Sequence, residues 1–111
     1  MFKNNKYNNK KTYIDGIEFD SKKEAKRYVE LKEMERLGAI TELVLQPVFV
    51  LQDKFKKNGM AHRAIKYIAD FSYFSGQQVI IEDVKGVKTD VFKIKQKLFE
   101  FKYPELVLTI V

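Results

Sequence analysis

Polar and apolar positions alternate in short runs along most of this chain, and in two places the period lengthens to that of a helix. Residues 11–19 read as a small hairpin: Thr12-Tyr13-Ile14, an Asp15-Gly16 turn, then Ile17-Glu18-Phe19. Asp-Gly between apolar runs is a strong hairpin signal, because both turn positions require positive φ. Asp20-Ser21 then opens a helix running to about Leu37, with Gly38 as its stop. At about 100° per residue, Glu24, Tyr28 and Leu31 share one face, which puts a carboxylate in the inward stripe. Glu24 also lies three residues after Ser21, the spacing of a capping box, in which it would only satisfy a backbone donor. The sequence leaves both roles open.

Residues 40–51 (ITELVLQPVFVL) are extended, but Pro47 interrupts them. Proline donates nothing to a ladder, so the segment predicts an edge strand, a bulge or two short strands in series. Residues 52–62 read as a basic loop with Gly59 near its tip and His62 as a loop residue. Lys54, Lys56 and Lys57 stand out there, as plain solvated surface or as contacts to a DNA backbone. A long hairpin over residues 63–85 comes next, with one arm through Tyr67 and Phe74 and the other through Val79 and Lys85. Thr89 or Asp90 caps a second helix over about residues 91–102. Phe92, Phe99 and Tyr103 share one of its sides, with Leu98 nearby. Pro104 ends it, and residues 106–111 (LVLTIV) predict a final buried strand. The order is hairpin, α, β, β, β, α, β, which predicts a mixed sheet with helices packed on it, in the α/β (α+β) class.

Composition narrows the chemistry. At 111 residues the chain makes one domain, taken as residues 11–111 behind a polar, basic tail over residues 1–10 that reads as mobile. No apolar run approaches the roughly 20 residues of a membrane helix and no signal peptide opens the chain, which implies a cytoplasmic setting. Cysteine is absent and histidine occurs once, so thiolate sites, imidazole-rich zinc sites and serine-type triads are disfavoured. Any metal would be held by carboxylates, which favours magnesium, manganese or calcium. A net charge of +6 suits a polyanionic partner, although solubility alone is the plainer reading.

The long hairpin carries the chemistry. Its arms are apolar and rich in aromatic or β-branched residues, yet Asp70 lies in mid-strand and the second arm ends in Asp83-Val84-Lys85. A two-residue Gly76-Gln77 turn, with glycine first as type II′ prefers, sets Asp70 opposite Asp83 and Ile68 opposite Lys85. A three-residue loop would instead put Glu82 on the face of Asp70. The first register is preferred, because Glu82 alternates with Ile80 and Val84 on the opposite face. Like charges directly opposite are destabilising, and a cation between them turns the penalty into a binding site.

Asp70 followed after twelve residues by Asp83-Val84-Lys85 resembles the signature of the PD-(D/E)xK nuclease superfamily. That superfamily includes restriction endonucleases, Holliday-junction resolvases and a transposition endonuclease. Its core order, α-β-β-β-α-β, matches the order read above over residues 21–111, and its frequent helix carboxylate falls on Glu24. Gln46-Pro47 resembles the strand that precedes the catalytic aspartate in some members. Residues 67–71 together with 82–86 are similar to a family of small phage-encoded proteins of unknown function. Position 69 is Ala where Pro is common, and position 83 is Asp where Glu is commoner.

The resemblance implies a restriction-endonuclease-like fold and a Mg²⁺- or Mn²⁺-dependent endonuclease acting on DNA, on branched or recombination intermediates of phage DNA. Its setting would then be the host cytoplasm. Glu24, Asp70 and Asp83 would hold the metal, with the carbonyl of Val84 as a further ligand, and Lys85 would act at the scissile phosphate. Lys88, Lys93, Lys95 and Lys97 are the candidate DNA contacts, Lys95 towards the cleft. Two-fold symmetric junctions would favour a homodimer. The competing readings are a non-catalytic nucleic-acid-binding protein on the same fold, and a structural or regulatory phage protein with an incidental basic surface.

Overall fold

The computed structural model describes residues 11–111, so the tail at residues 1–10 lies outside the described residues. β1 (Thr12–Ile14) and β2 (Ile17–Phe19) form the expected first hairpin, with Asp15 and Gly16 both at positive φ. α1 (Lys22–Arg36) starts where Ser21 turns from extended backbone and its hydroxyl accepts the Glu24 N–H at 3.1 Å. It ends as Gly38, at φ 82°, lets its N–H reach Glu35 and the Ala39 N–H reach Met34, the Schellman arrangement. Ser21→Ala is expected to cost about 1 kcal/mol, read as a lowered urea midpoint at unchanged slope.

The main sheet has four strands in the order β10-β9-β8-β3: β3 (Thr41–Leu45), β8 (Phe71–Ser75), β9 (Gln78–Asp83) and β10 (Val107–Ile110). β10 runs parallel to β9 and the other pairs are antiparallel. α2 (Asp90–Lys102) begins at Thr89, whose hydroxyl accepts the Phe92 N–H. Side chains alternate between two cores, one on each face of the sheet. Phe71 and Tyr73 of β8 pack with Phe19, Tyr28, Leu31 and Ile40 on the α1 side, where Ile80 and Val84 also lie. Ile81 and Val79 pack with Tyr67, Phe92 and Phe99 on the α2 side. The mixed α+β architecture is the one the sequence pattern predicts.

The turn at Gly76, with φ 63°, holds two residues, and Phe71 pairs with Glu82 and Ser75 with Gln78. This is the preferred register as far as Phe71 and Glu82, where the pairing ends; Asp70, just before β8, gives its N–H to the Glu82 carbonyl at 3.1 Å and is not paired with Asp83 in the ladder.

Four expectations are corrected. The first arm is not one strand: β7 (Ile65–Ile68) pairs with β4 (Val48–Gln52), apart from β8 in the main sheet, and Ile68 faces Val48 instead of Lys85. The cause is the bend at Gln46-Pro47, where proline has no N–H to give and Gln46 sits at φ 53°. The ladder crosses that bend through Gln46 N–H to Asp70 carbonyl (2.9 Å) and Ala69 N–H to Pro47 carbonyl (3.1 Å). Next, the basic segment is not a loop. β5 (Phe55–Lys57) and β6 (Met60–His62) form a hairpin on an Asn58-Gly59 turn, which places His62 in a strand. The final strand is an edge strand with alternate residues exposed, because β10 has only β9 as a neighbour. Lastly, Leu98 faces outward at 40% exposure, in line with exposed Val91, Ile94 and Phe101 along α2.

Candidate metal centre

The bend delivers Asp70 to the end of the sheet, where three elements meet. Asp70 stands just before β8, Asp83 ends β9, and Glu24 rises from the first turn of α1. Glu24 and Asp83 are buried, and Asp70 is half-buried. The Asp70 side chain lies beside those of Asp83 and Glu24, near enough for their carboxyl groups to alter its proton affinity, and its Oδ2 accepts the Val84 N–H at 2.7 Å.

Proton affinity follows that crowding. Burial, then the bond to Asp83, raises Asp70 to about 8, against the opposing pull of the Val84 N–H. Glu24 is raised as well, first by burial and then by the negative charge of Asp20, with a smaller push from Asp83. Tyr67 donates its hydroxyl to Asp83 Oδ2, and burial together with that carboxylate raises the phenol. Lys85 lies beyond the end of β9, its Nζ 3.5 Å from Asp83 Oδ2 and 4.7 Å from the centre of the Phe92 ring.

Glu24 and Asp70 line a cleft of about 390 Å³ with Asp20, Ser21, Lys23, Val84, Lys85 and Gly86. They also line a smaller one of about 170 Å³ with Leu45 and Gln46. Lys85 borders a third, of about 270 Å³, with Lys66, Tyr67, Ile68, Thr89, Phe92 and Lys95. The four residues singled out as catalytic therefore come together, whereas Lys95 lines the third cleft, which shares only Lys85 with the cleft of Glu24 and Asp70. Lys88, Lys93 and Lys97 are exposed and line none of these three clefts.

Among the described residues no three acidic or imidazole groups stand ready as a metal cage. The donor set nonetheless fits a hard divalent cation: it is all oxygen, and burial among like charges holds Asp70 and Glu24 above the usual carboxylate range, a cost that a cation would relieve. At Glu24 the backbone and the side chain have different surroundings. Its backbone N–H is the capped group and its carboxylate faces Asp70.

A second charged cluster was not anticipated. Glu82, 1% exposed on the α1 face, is held by a bidentate contact from Arg27 at 2.8 and 2.6 Å and by the Tyr73 hydroxyl. That bond to Glu82 raises the Arg27 guanidinium, while burial and Glu82 push Tyr73 up to about 12. The signal was the carboxylate itself: Glu82 between Ile81 and Asp83 in an apolar strand requires a cation. Arg27, one turn after Glu24 on α1, is the residue within reach.

Residues 4–111 match a family model described as a protein of unknown function (DUF1064). No curated protein and no solved structure matches the chain.

Proposed function

We propose that this chain, which belongs to the family described as protein of unknown function (DUF1064), is a metal-dependent endodeoxyribonuclease hydrolysing phosphodiester bonds of DNA. The observation that carries this reading is the meeting of four side chains: Glu24, Asp70 and Lys85 line one cleft, and the buried Asp83 lies beside Asp70 and Lys85. In this reading Asp70, Asp83 and Glu24 hold Mg²⁺ or Mn²⁺, with the Val84 carbonyl beside them. When bound, such an ion neutralises charge developing on the phosphate and makes a coordinated water more acidic.

The chain's own residues supply the rest. Tyr67 fixes the rotamer of Asp83 by its hydrogen bond. Lys85, whose ammonium lies between the Phe92 ring and the Asp83 carboxylate, would meet the scissile phosphate and orient the attacking water. Lys95 lines the neighbouring cleft on the other side of Lys85, where it would meet the DNA backbone, as Lys88, Lys93 and Lys97 would farther out. A branched phage DNA substrate rests on the resemblance of the sequence. The outer stripe Val91, Ile94, Leu98 and Phe101 is a face a second copy would cover, which supports a homodimer. No helix among the described residues is long and apolar enough to cross a membrane.

The test is a cleavage panel of single-stranded, duplex, flap and four-way-junction DNA, with Mg²⁺ and with chelator. At least one substrate is expected to be cut with Mg²⁺ alone. Lys85→Ala should slow that cleavage by about 10²–10³-fold, and Glu24→Gln by about 10–100-fold. Binding with no cleavage in either Mg²⁺ or Mn²⁺ would favour the non-catalytic binding protein, and full activity in Lys85→Ala would remove the role given to that lysine.

A further inference from the structure

The β5–β6 hairpin is the least explained part of the fold. Every residue from Gln52 to Arg63 is exposed, so it contributes nothing to either core. It is nevertheless regular. Gln52 pairs with Ile65 and Phe55 with His62, so one register runs from the bulge near Val50 out to the Asn58-Gly59 turn. Six residues from Gln52 to Lys57 span about 20 Å at about 3.3 Å per residue. This is a two-stranded ribbon standing off the body, and its return strand leads through β7 directly to Asp70.

Charge is concentrated on it. Residues 53–66 hold five cations, Lys54, Lys56, Lys57, Arg63 and Lys66, against the single carboxylate of Asp53, so +4 of the chain's +6 sits on this segment. None of the five is in an ion pair among the described residues. Strand alternation sorts the two faces. Phe55 and His62 stack on one, their ring centres 4.6 Å apart, with Met60 and Lys57 nearer the tip. The other face presents Lys56 beside the small Ala61, and the same register continued by one step past the ladder, into the stretch between β5–β6 and β4–β7, brings Lys54 opposite Arg63. Like charges opposite each other on an uncovered ribbon cost stability unless a polyanion lies across them.

We propose that this ribbon is a duplex-DNA-binding arm, with its Lys54, Lys56 and Arg63 face laid along the phosphates bordering a groove. A two-stranded ribbon is of a size the major groove admits, and Ala61 leaves room for close approach. The stacked Phe55 and His62 on the back keep the ribbon stiff. This deepens the nuclease reading by giving the DNA a second hold, but it concerns binding without metal and is tested apart from cleavage.

The experiment measures affinity of the full chain for a 30-bp duplex (a length of about three turns) in chelator, across a salt series. Each phosphate contact contributes about 0.9 to the slope of log K against log salt. Lys54→Ala, Lys56→Ala and Arg63→Ala combined are expected to flatten the slope by about 2–3 without lowering the thermal midpoint, because no core side chain is touched and a like-charge repulsion is removed. Lys54→Arg with Lys56→Arg keeps the charge and should keep the parent slope. An unchanged slope in the triple alanine variant, no duplex binding by the parent, or tighter binding of single strands than of duplex would overturn the proposal. A parent that binds through the ribbon yet cuts nothing would leave the arm standing and remove the nuclease reading alone.

Discussion

Asp70→Asn is expected to abolish Mg²⁺-dependent cleavage, by about 10³-fold or more, while making the metal-free protein more stable above neutral pH. The two effects have one origin. In the folded chain Asp70 is raised to about 8 by burial and by its bond to Asp83, against about 3.9 in an unfolded chain. The folded state therefore holds the proton more tightly. The stabilisation this gives is complete below about pH 4, fades as pH rises through the folded value, and is absent above about 8. Asparagine stays neutral throughout, keeps an oxygen for the Val84 N–H, and offers an N–H to Asp83. Thermal midpoints of parent and variant should lie close together near pH 4 and diverge by several degrees at pH 9, the variant being higher. Adding Mg²⁺ at pH 9 should raise the parent alone. A variant that melts lower than the parent at pH 9 would mean that Asp70 serves the fold and not a site.

The largest loss of stability is expected elsewhere, at Arg27→Ala. Glu82 is buried to 1% exposure and Arg27 is its only cation among the described residues, so removing the guanidinium leaves the carboxylate with the Tyr73 hydroxyl. Breaking such a pair costs about 3–5 kcal/mol, which is a large share of the roughly 5–15 kcal/mol that holds a domain together. Replacing the whole cluster, with Arg27→Met, Glu82→Leu and Tyr73→Phe, leaves no unpaired charge and should recover most of that loss. Urea unfolding of the four proteins (parent, single, Glu82→Leu alone and triple) measures both effects. A cost below about 1 kcal/mol for Arg27→Ala would show that water reaches Glu82.

These two clusters differ in how far the sequence revealed them. The turn at Gly76-Gln77 could be read because only certain residues accept positive φ there, and the turn fixed the register of β8 on β9 from Ser75 and Gln78 to Phe71 and Glu82. Glu24 could be placed on the inward face by helical spacing alone. Arg27 and Glu82 lie 55 residues apart, and nothing local joins them. The break between β7 and β8 was hidden for a related reason. Tyr67 to Phe74 is a good strand sequence, and the bend is imposed from the partner strand by Pro47. The Asn58-Gly59 hairpin was missed although it carries the same turn chemistry as Asp15-Gly16. Its arms are lysine-rich and lack the apolar alternation that marks a strand, because neither face packs on a core. A ribbon built for contact with another molecule has no reason to show the pattern of a buried one.

Titration calorimetry with Mn²⁺ tests the central claim, that Glu24, Asp70 and Asp83 form a divalent-cation site. The parent is expected to bind Mn²⁺ and release protons in doing so, more tightly at pH 8.5 than at pH 6 as Asp70 gives up its proton, and Asp70→Asn should bind none. No heat of binding in the parent at pH 8.5, or equal binding by parent and Asp70→Asn, would contradict it.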